Sequence, residues 1–165
     1  MGRQERKPEQ QTTKAFVQTP IGLLMLEAKD EAICAIGLVR SGEAMIESND
    51  STPLLEQAKR ELTEYFAGKR TVFTFPMRAE GTPFQKSVWD ALVAIPFGET
   101  KTYGEIAKAV SNPKGSRAVG MACNKNPIMI AVPCHRVLGA GGSLTGYAGG
   151  LPVKQTLLKL EQGKG

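Results

Sequence analysis

Two Thr-Pro pairs, Thr52-Pro53 and Thr82-Pro83, set the ground plan of this chain. A threonine hydroxyl at an N-cap satisfies a backbone N–H that has no helical partner. Proline fits the first helical position, where its missing N–H costs nothing. Each pair therefore predicts a helix start, and the Pro- and Gly-bounded stretch before the second pair predicts a break. The boundaries that follow are a polar, disordered tail over 1–13, an α/β domain over 14–76, a linker over 77–81 and a second domain over 82–165.

In the first domain, Phe16–Glu27 and Ala32–Val39 read as β-runs separated by the polar turn Lys29-Asp30-Glu31. The helix opened by Thr52-Pro53 carries Leu54, Leu55, Ala58, Leu62, Tyr65 and Phe66 on one stripe, and Gly68 ends it. Thr71–Phe75 alternates β-branched and aromatic residues and predicts a returning strand. Nothing in this half offers chemistry. Cys34 lies in an apolar run, where a buried, inert thiol is expected.

The second domain begins with a helix from Phe84 that places Val88, Trp89, Leu92 and Val93 on one face and stops at Pro96-Phe97-Gly98. Thr102 and Glu105 have capping-box spacing and open a short helix reaching about Val110. After the turn 111–115 a further helix runs from Ser116 to about Cys123, ending in Asn124-Lys125-Asn126-Pro127. Two short helices across a tight turn give the outline of a helix-turn-helix. Charge points the same way. Residues 1–81 hold eleven Lys and Arg against twelve Asp and Glu, a net of −1; residues 82–165 hold ten against four, a net of +6. A polyanion would bind the second half.

No apolar run approaches a membrane span, and Met1–Lys14 lacks the apolar centre of a secretion signal, so a cytoplasmic protein is expected, with no membrane partner. Three cysteines make a disulfide framework a poor fit and reduced thiols the better one. Cys34, Cys123, Cys134 and His135 show no metal-ligand spacing, so no metal or cofactor is expected.

The apolar, strand-like segment Ile128–Val132 delivers Pro133-Cys134-His135-Arg136-Val137. Adjacent Cys and His side chains usually diverge, so the pair alone is a poor catalytic signature. Here His135 is the sole histidine, Pro133 stiffens the approach, and a glycine-rich loop, Gly139–Gly150, follows.

With these residues the chain resembles the O6-alkylguanine-DNA alkyltransferases, over about residues 14–162. Pro-Cys-His-Arg-Val at 133–137 is similar to the acceptor motif of that family. Tyr103, Arg117 in Ser-Arg-Ala-Val-Gly, Asn126-Pro127, Gly146-Tyr147-Ala148-Gly149-Gly150 and Glu161 follow at the family's spacings. The resemblance implies an α+β fold: a small N-terminal α/β lobe of ribonuclease-H-like shape, and a mainly helical C-terminal lobe with a helix-turn-helix.

It further implies repair of double-stranded DNA by single-turnover transfer of a methyl or other alkyl group from guanine O6 to Cys134, with activity on O4-alkylthymine left open. A water would relay the thiol proton to His135, held by Glu161. Tyr103 would face the flipped base and protonate it as it leaves. Asn126 would brace the neighbouring segments. The carbonyls of Cys134 and Val137 would accept from the guanine amine, and Tyr147 would wall the pocket. Ala148 stands where some members carry a serine that bonds the base. Arg117 would fill the gap left by the flipped base. Ala118 and Gly120 would permit close approach to the minor groove, with Lys101, Lys114 and Lys125 on phosphates. The protein is expected to be a monomer, with clustering on DNA left open.

Two rivals belong to other classes. A non-catalytic binder of alkylated DNA would lack the acceptor thiol, which is present. A thiol hydrolase built on Cys134 and His135 has no evident oxyanion loop and leaves Arg117 unexplained.

Overall fold

The computed structural model describes residues 12–39, 49–144, 146–147 and 149–163. The N-terminal part is a three-stranded antiparallel sheet in the order β1-β2-β3: β1 Thr12–Thr19, β2 Gly22–Lys29 and β3 Ala32–Leu38. Thr12 and Thr13 belong to β1, so the sheet starts inside the tail expected over 1–13, of which residues 1–11 lie outside the described residues.

The run expected as one strand over Phe16–Glu27 is two strands folded at Pro20-Ile21. Pro20 has no N–H to give a ladder, and the Thr19 hydroxyl closes the turn, accepting from Ile21 N at 3.1 Å and donating to Gly22 O at 2.7 Å. The second hairpin turns at the expected place. Asp30 and Glu31 both take positive φ, 52° and 65°, as a two-residue hairpin loop requires.

Leu24, Leu26 and Ala28 alternate inward along β2, and α1 (Pro53–Phe66) covers them with Leu55, Ala58, Leu62 and Tyr65. Thr52 caps α1 by accepting from Leu55 N at 3.1 Å. Truncating fully buried Leu62 to Ala costs about 2–5 kcal/mol at such a site.

Thr71–Phe75 is not a strand. Glu61 of α1 captures Thr74 instead, accepting from its N–H at 2.7 Å and its hydroxyl at 2.5 Å. The donor that a ladder would use is spent on a helix carboxylate, while Phe73 packs on Tyr65 and Phe75 packs on Phe73. The free edge of β3 is met instead by isolated bridges, Ile33 with Met77 and Ile36 with Ile128.

The C-terminal part comprises α2 (Pro83–Val93), α3 (Tyr103–Ala109), α4 (Ser116–Asn124) and α5 (Leu151–Glu161). The capping box expected before α3 is present: Glu105 N donates to the Thr102 hydroxyl at 3.1 Å, and Thr102 N donates to Glu105 Oε1 at 2.9 Å. α3 and α4 pack on each other and on α2. Trp89 Nε1 pins α4 to α2 by donating to Ala122 O at 2.9 Å. A Cβ at Gly115 would lie 2.4 Å from Asn112 Nδ2, so a side chain there would displace the Asn112 amide inside the turn that joins the two helices.

A two-residue parallel pairing, unforeseen in the sequence, ties β4 (Lys101–Thr102) to β5 (Val137–Leu138). Buried side chains from both parts form one hydrophobic cluster. Among the described residues no helix is long and apolar enough to cross a membrane.

Candidate active site

The segment expected as a strand over Ile128–Val132 is a series of turns. Val132 N donates to Ile128 O at 3.0 Å and Ala131 N to Met129 O at 2.8 Å, with Ile130 at positive φ (73°). Its register is set from outside: Ile36 N donates to Pro127 O at 2.9 Å, and Met129 N donates to Ile36 O at 3.0 Å. Two backbone bonds thus fasten the approach to Cys134 onto the edge of β3. Cys134–Arg136 then forms one 3-10 turn, with all three side chains buried.

Asn126 closes this loop from within. Its Oδ1 accepts from Ile128 N at 2.9 Å, and its Nδ2 donates to Val132 O at 2.8 Å and to Cys134 Sγ at 3.4 Å. Burial pushes the Cys134 thiol above its ordinary range; the Asn126 amide and the Lys154 charge pull the other way without overcoming it. The resting thiol is neutral, so a proton must leave before it can attack carbon.

His135 is wholly buried, and its Nε2 lies 2.7 Å from Glu161 Oε2 at the end of α5. Arg136 grips the same carboxylate in a fork, donating from Nε to Oε1 at 2.7 Å and from Nη2 to Oε2 at 3.0 Å, while Nη1 donates to Ile95 O at 2.7 Å. The Tyr65 hydroxyl donates to Glu161 Oε2 at 2.5 Å. Burial alone would raise the Glu161 carboxyl, but the bonds from His135, Arg136 and Tyr65 outweigh it and hold the group at about 2. An ionised carboxylate accepts only, so His135 Nε2 donates and Nδ1 is the basic nitrogen. Nδ1 is buried without a hydrogen-bond partner among the described residues. Burial holds the His135 imidazole below its ordinary range, though Glu161 pulls upward.

Lys154 of α5 is fully buried and donates from Nζ to Val137 O at 2.7 Å, lying 6.0 Å from the Tyr103 ring centre. The Cys134 carbonyl likewise accepts from Val137 N. Both carbonyls expected to read a base therefore already accept one bond each, and each oxygen has a second lone pair. Tyr103 opens α3 directly after the β4–β5 pairing, so Val137 and Tyr103 are held by one short ladder. A cavity of about 610 Å³ opens at Cys134, Cys123, Asn126, Met129 and Tyr147 and reaches Leu38 of β3. The Tyr147 hydroxyl is buried without a hydrogen-bond partner among the described residues. Ala148 lies outside the described residues.

Arg117, Lys101, Lys114 and Lys125 are all exposed, around α3 and α4; Ala118 and Gly120 are half-buried. Gly120 faces Tyr103, and a Cβ there would meet Tyr103 Cε1 at 3.8 Å, an ordinary packing contact. Cys34 is half-buried in β3 rather than buried as expected, and burial and Glu27 raise its thiol. Cys123 is buried, and its thiol is pushed up to about 12 by burial and by nearby Cys134. No group of three or more His, Cys, Asp or Glu among the described residues is placed to hold a metal ion.

Four contributors escaped the sequence reading. Arg136 stands inside the 133–137 motif with no role of its own attached, and Lys154 looks like an ordinary surface cation in sequence. Tyr65 falls on the apolar stripe of α1, yet a buried tyrosine hydroxyl needs a partner, and that need is the signal the sequence offers. Met121, 66% exposed and one turn beyond Arg117, puts a bulky apolar group on the outer face of α4.

Comparison with known proteins agrees with this geometry. Residues 83–163 match the family model "6-O-methylguanine DNA methyltransferase, DNA binding domain", and residues 13–79 match "6-O-methylguanine DNA methyltransferase, ribonuclease-like domain". The chain is 52% identical to the methylated-DNA–protein-cysteine methyltransferase of Methanosarcina acetivorans, over 89% of this chain and 96% of that protein. It is 43% identical to the constitutive enzyme of that name from Bacillus subtilis, over 88% and 92%. Mycobacterium tuberculosis OGT, solved in complex with DNA, superposes with a TM-score of 0.83 at 40% identity, covering 92% of this chain and 94% of that one. Fold and relatives agree: the chain belongs to the 6-O-methylguanine DNA methyltransferase family.

Proposed function

We propose that this protein is a methylated-DNA–protein-cysteine methyltransferase that repairs O6-alkylguanine in double-stranded DNA, each molecule acting once on its own Cys134. The supporting observation is the acceptor turn: a buried neutral thiol held by Asn126, beside a histidine whose outer nitrogen is fixed by an ionised Glu161. His135 Nδ1 takes the Cys134 proton through a water. The thiolate attacks the alkyl carbon, a C–S bond forms, and the C–O bond breaks with its electrons on guanine O6. Tyr103 supplies the proton to the departing base. The resulting thioether has no route back to thiol, so the molecule is spent.

The base must leave the duplex to reach Cys134, at a cost of a few kcal/mol. Helices α3 and α4 act as a helix-turn-helix on the minor groove, which suits a protein indifferent to sequence. Arg117 fills the gap, Ala118 and Gly120 keep α4 close to the groove, and Lys101, Lys114 and Lys125 meet phosphates. Tyr147 walls the base pocket beside Val137. The residues 77–81 link the sheet domain to this DNA-binding and acceptor domain.

Excess duplex carrying radiolabelled O6-methylguanine tests the reading. Transfer should stop at one methyl per chain. Binding without transfer would indicate a lesion binder, and continued release of product would indicate a hydrolase.

A further inference from the structure

Glu161 carries more hydrogen bonds than orientation of one histidine requires. Arg136 alone, bonded through two nitrogens, fixes the plane of the carboxylate. Tyr65 nevertheless reaches it from α1, ninety-six residues away in sequence, and lands on Oε2, the oxygen that pairs with His135. The hydroxyl is held there firmly: Tyr65 is 1% exposed, and its ring is boxed by Phe66, Phe73 and Phe97 at centroid distances of 5.1, 5.4 and 6.2 Å. A phenol this deep in the core would be replaced by Phe at no loss of packing if packing were its only task.

We propose that Tyr65 is a positioning residue for the transfer reaction: by donating to Glu161 Oε2 it limits how strongly Glu161 supports a proton on His135, and so sets the pH at which Cys134 becomes nucleophilic. This rests on the assignment of Cys134, His135 and Glu161 made above. A donor on a carboxylate draws charge from it and weakens what the other donors feel. With three donors on Oε2, the attraction of Glu161 for an imidazolium at His135 is divided. The remaining charged and titratable groups around the pair are Arg136 and Cys134 on the acceptor turn, Lys154 on α5 and Tyr147 on the loop before it. Arg136 and Lys154 both oppose a second positive charge, so Tyr65 acts with them to keep the imidazole neutral until substrate arrives. The N-terminal lobe thereby contributes an atom to the proton relay.

The test is the rate of methyl transfer from an O6-methylguanine duplex between pH 5.5 and 9 for the wild-type chain, Tyr65→Phe and Phe66→Leu. Removing the hydroxyl strengthens the His135–Glu161 pair and favours the imidazolium, which cannot take the thiol proton, so the midpoint of the rising limb should move up by roughly half to one pH unit, the size a lost charge-assisted bond gives. Phe66→Leu loosens the same aromatic cluster and should leave the midpoint in place. An unmoved or lowered midpoint in Tyr65→Phe overturns the proposal, even if the rate falls uniformly. Nitrogen-15 spectra of His135, the sole histidine, give a second reading without any variant. The wild-type ring should be neutral, with its proton on Nε2, from pH 6 to 8; an imidazolium there also overturns the proposal. Absence of transfer by the wild type at every pH would instead remove the Cys134 assignment.

Discussion

Asn126 and Cys134 are joined by an amide–sulfur hydrogen bond of 3.4 Å, and the same amide nitrogen holds Val132 O at 2.8 Å. One side chain thus shapes the loop that carries Cys134 and offers a donor to its sulfur. Asn126→Ala should raise the pH at which Cys134 reacts and slow transfer at neutral pH by roughly ten- to a hundredfold, the value of one bond to a charged group. It should also cost about 1–3 kcal/mol of stability, because Ile128 N and Val132 O lose their partner. Thiol reactivity against pH, beside urea melts, checks both. An unchanged titration would mean that the bond to sulfur is incidental.

Acid stability should carry the signature of Glu161. Its folded value of about 2 lies below the ordinary 4.5, so its stabilisation is complete above pH 4.5 and is lost as pH falls toward 2. Glu161→Gln should remove that dependence and cost about 3–5 kcal/mol at pH 7, since it leaves Arg136 buried without its counter-charge. Denaturant midpoints measured from pH 2 to 7 for both proteins would show it. Parallel curves would contradict the assignment.

Local signals in the sequence translated directly into structure. Thr52, Thr82 and the Thr102–Glu105 box all cap helices where expected, because each acts within one turn of backbone. The two false strands failed for a reason that spacing cannot convey. Thr71–Phe75 has strand-like residues, but its backbone donor goes to Glu61; Ile128–Val132 is apolar because it is buried, and it is coiled because Asn126 gathers it. The acceptor motif announced Cys134 and His135. Its supports, Tyr65 from α1 and Lys154 from α5, come from distant elements that only the fold brings together.

Lys154 should act on the thiol directly, where Tyr65 acts through Glu161. Its buried ammonium favours the thiolate and also fixes the Val137 carbonyl. Lys154→Met should move the rate profile toward higher pH and slow transfer at pH 7 by about tenfold, equivalent to one pH unit. An unmoved profile would show that the ammonium serves only to fix the Val137 carbonyl.

Arg117 separates two kinds of DNA contact. As a filler of the vacated stack, Arg117→Ala should slow repair in duplex DNA by at least tenfold while leaving reaction with free O6-benzylguanine near normal. A lesion in a mispair, cheaper to flip, should partly rescue it. Changing Lys101, Lys114 or Lys125 to Ala should instead shallow the dependence of log affinity on log salt by about one unit each. Equal loss on the free base would place Arg117 in the service of the pocket itself.

The most direct test of the account is to map the transferred group. After incubation with a duplex carrying isotopically labelled O6-methylguanine, the protein is digested and its cysteine peptides are weighed. The account predicts one added methyl, on Cys134 alone, and none in Cys134→Ala, which should still bind the duplex. Label on Cys34 or Cys123, or label retained by Cys134→Ala, would contradict it.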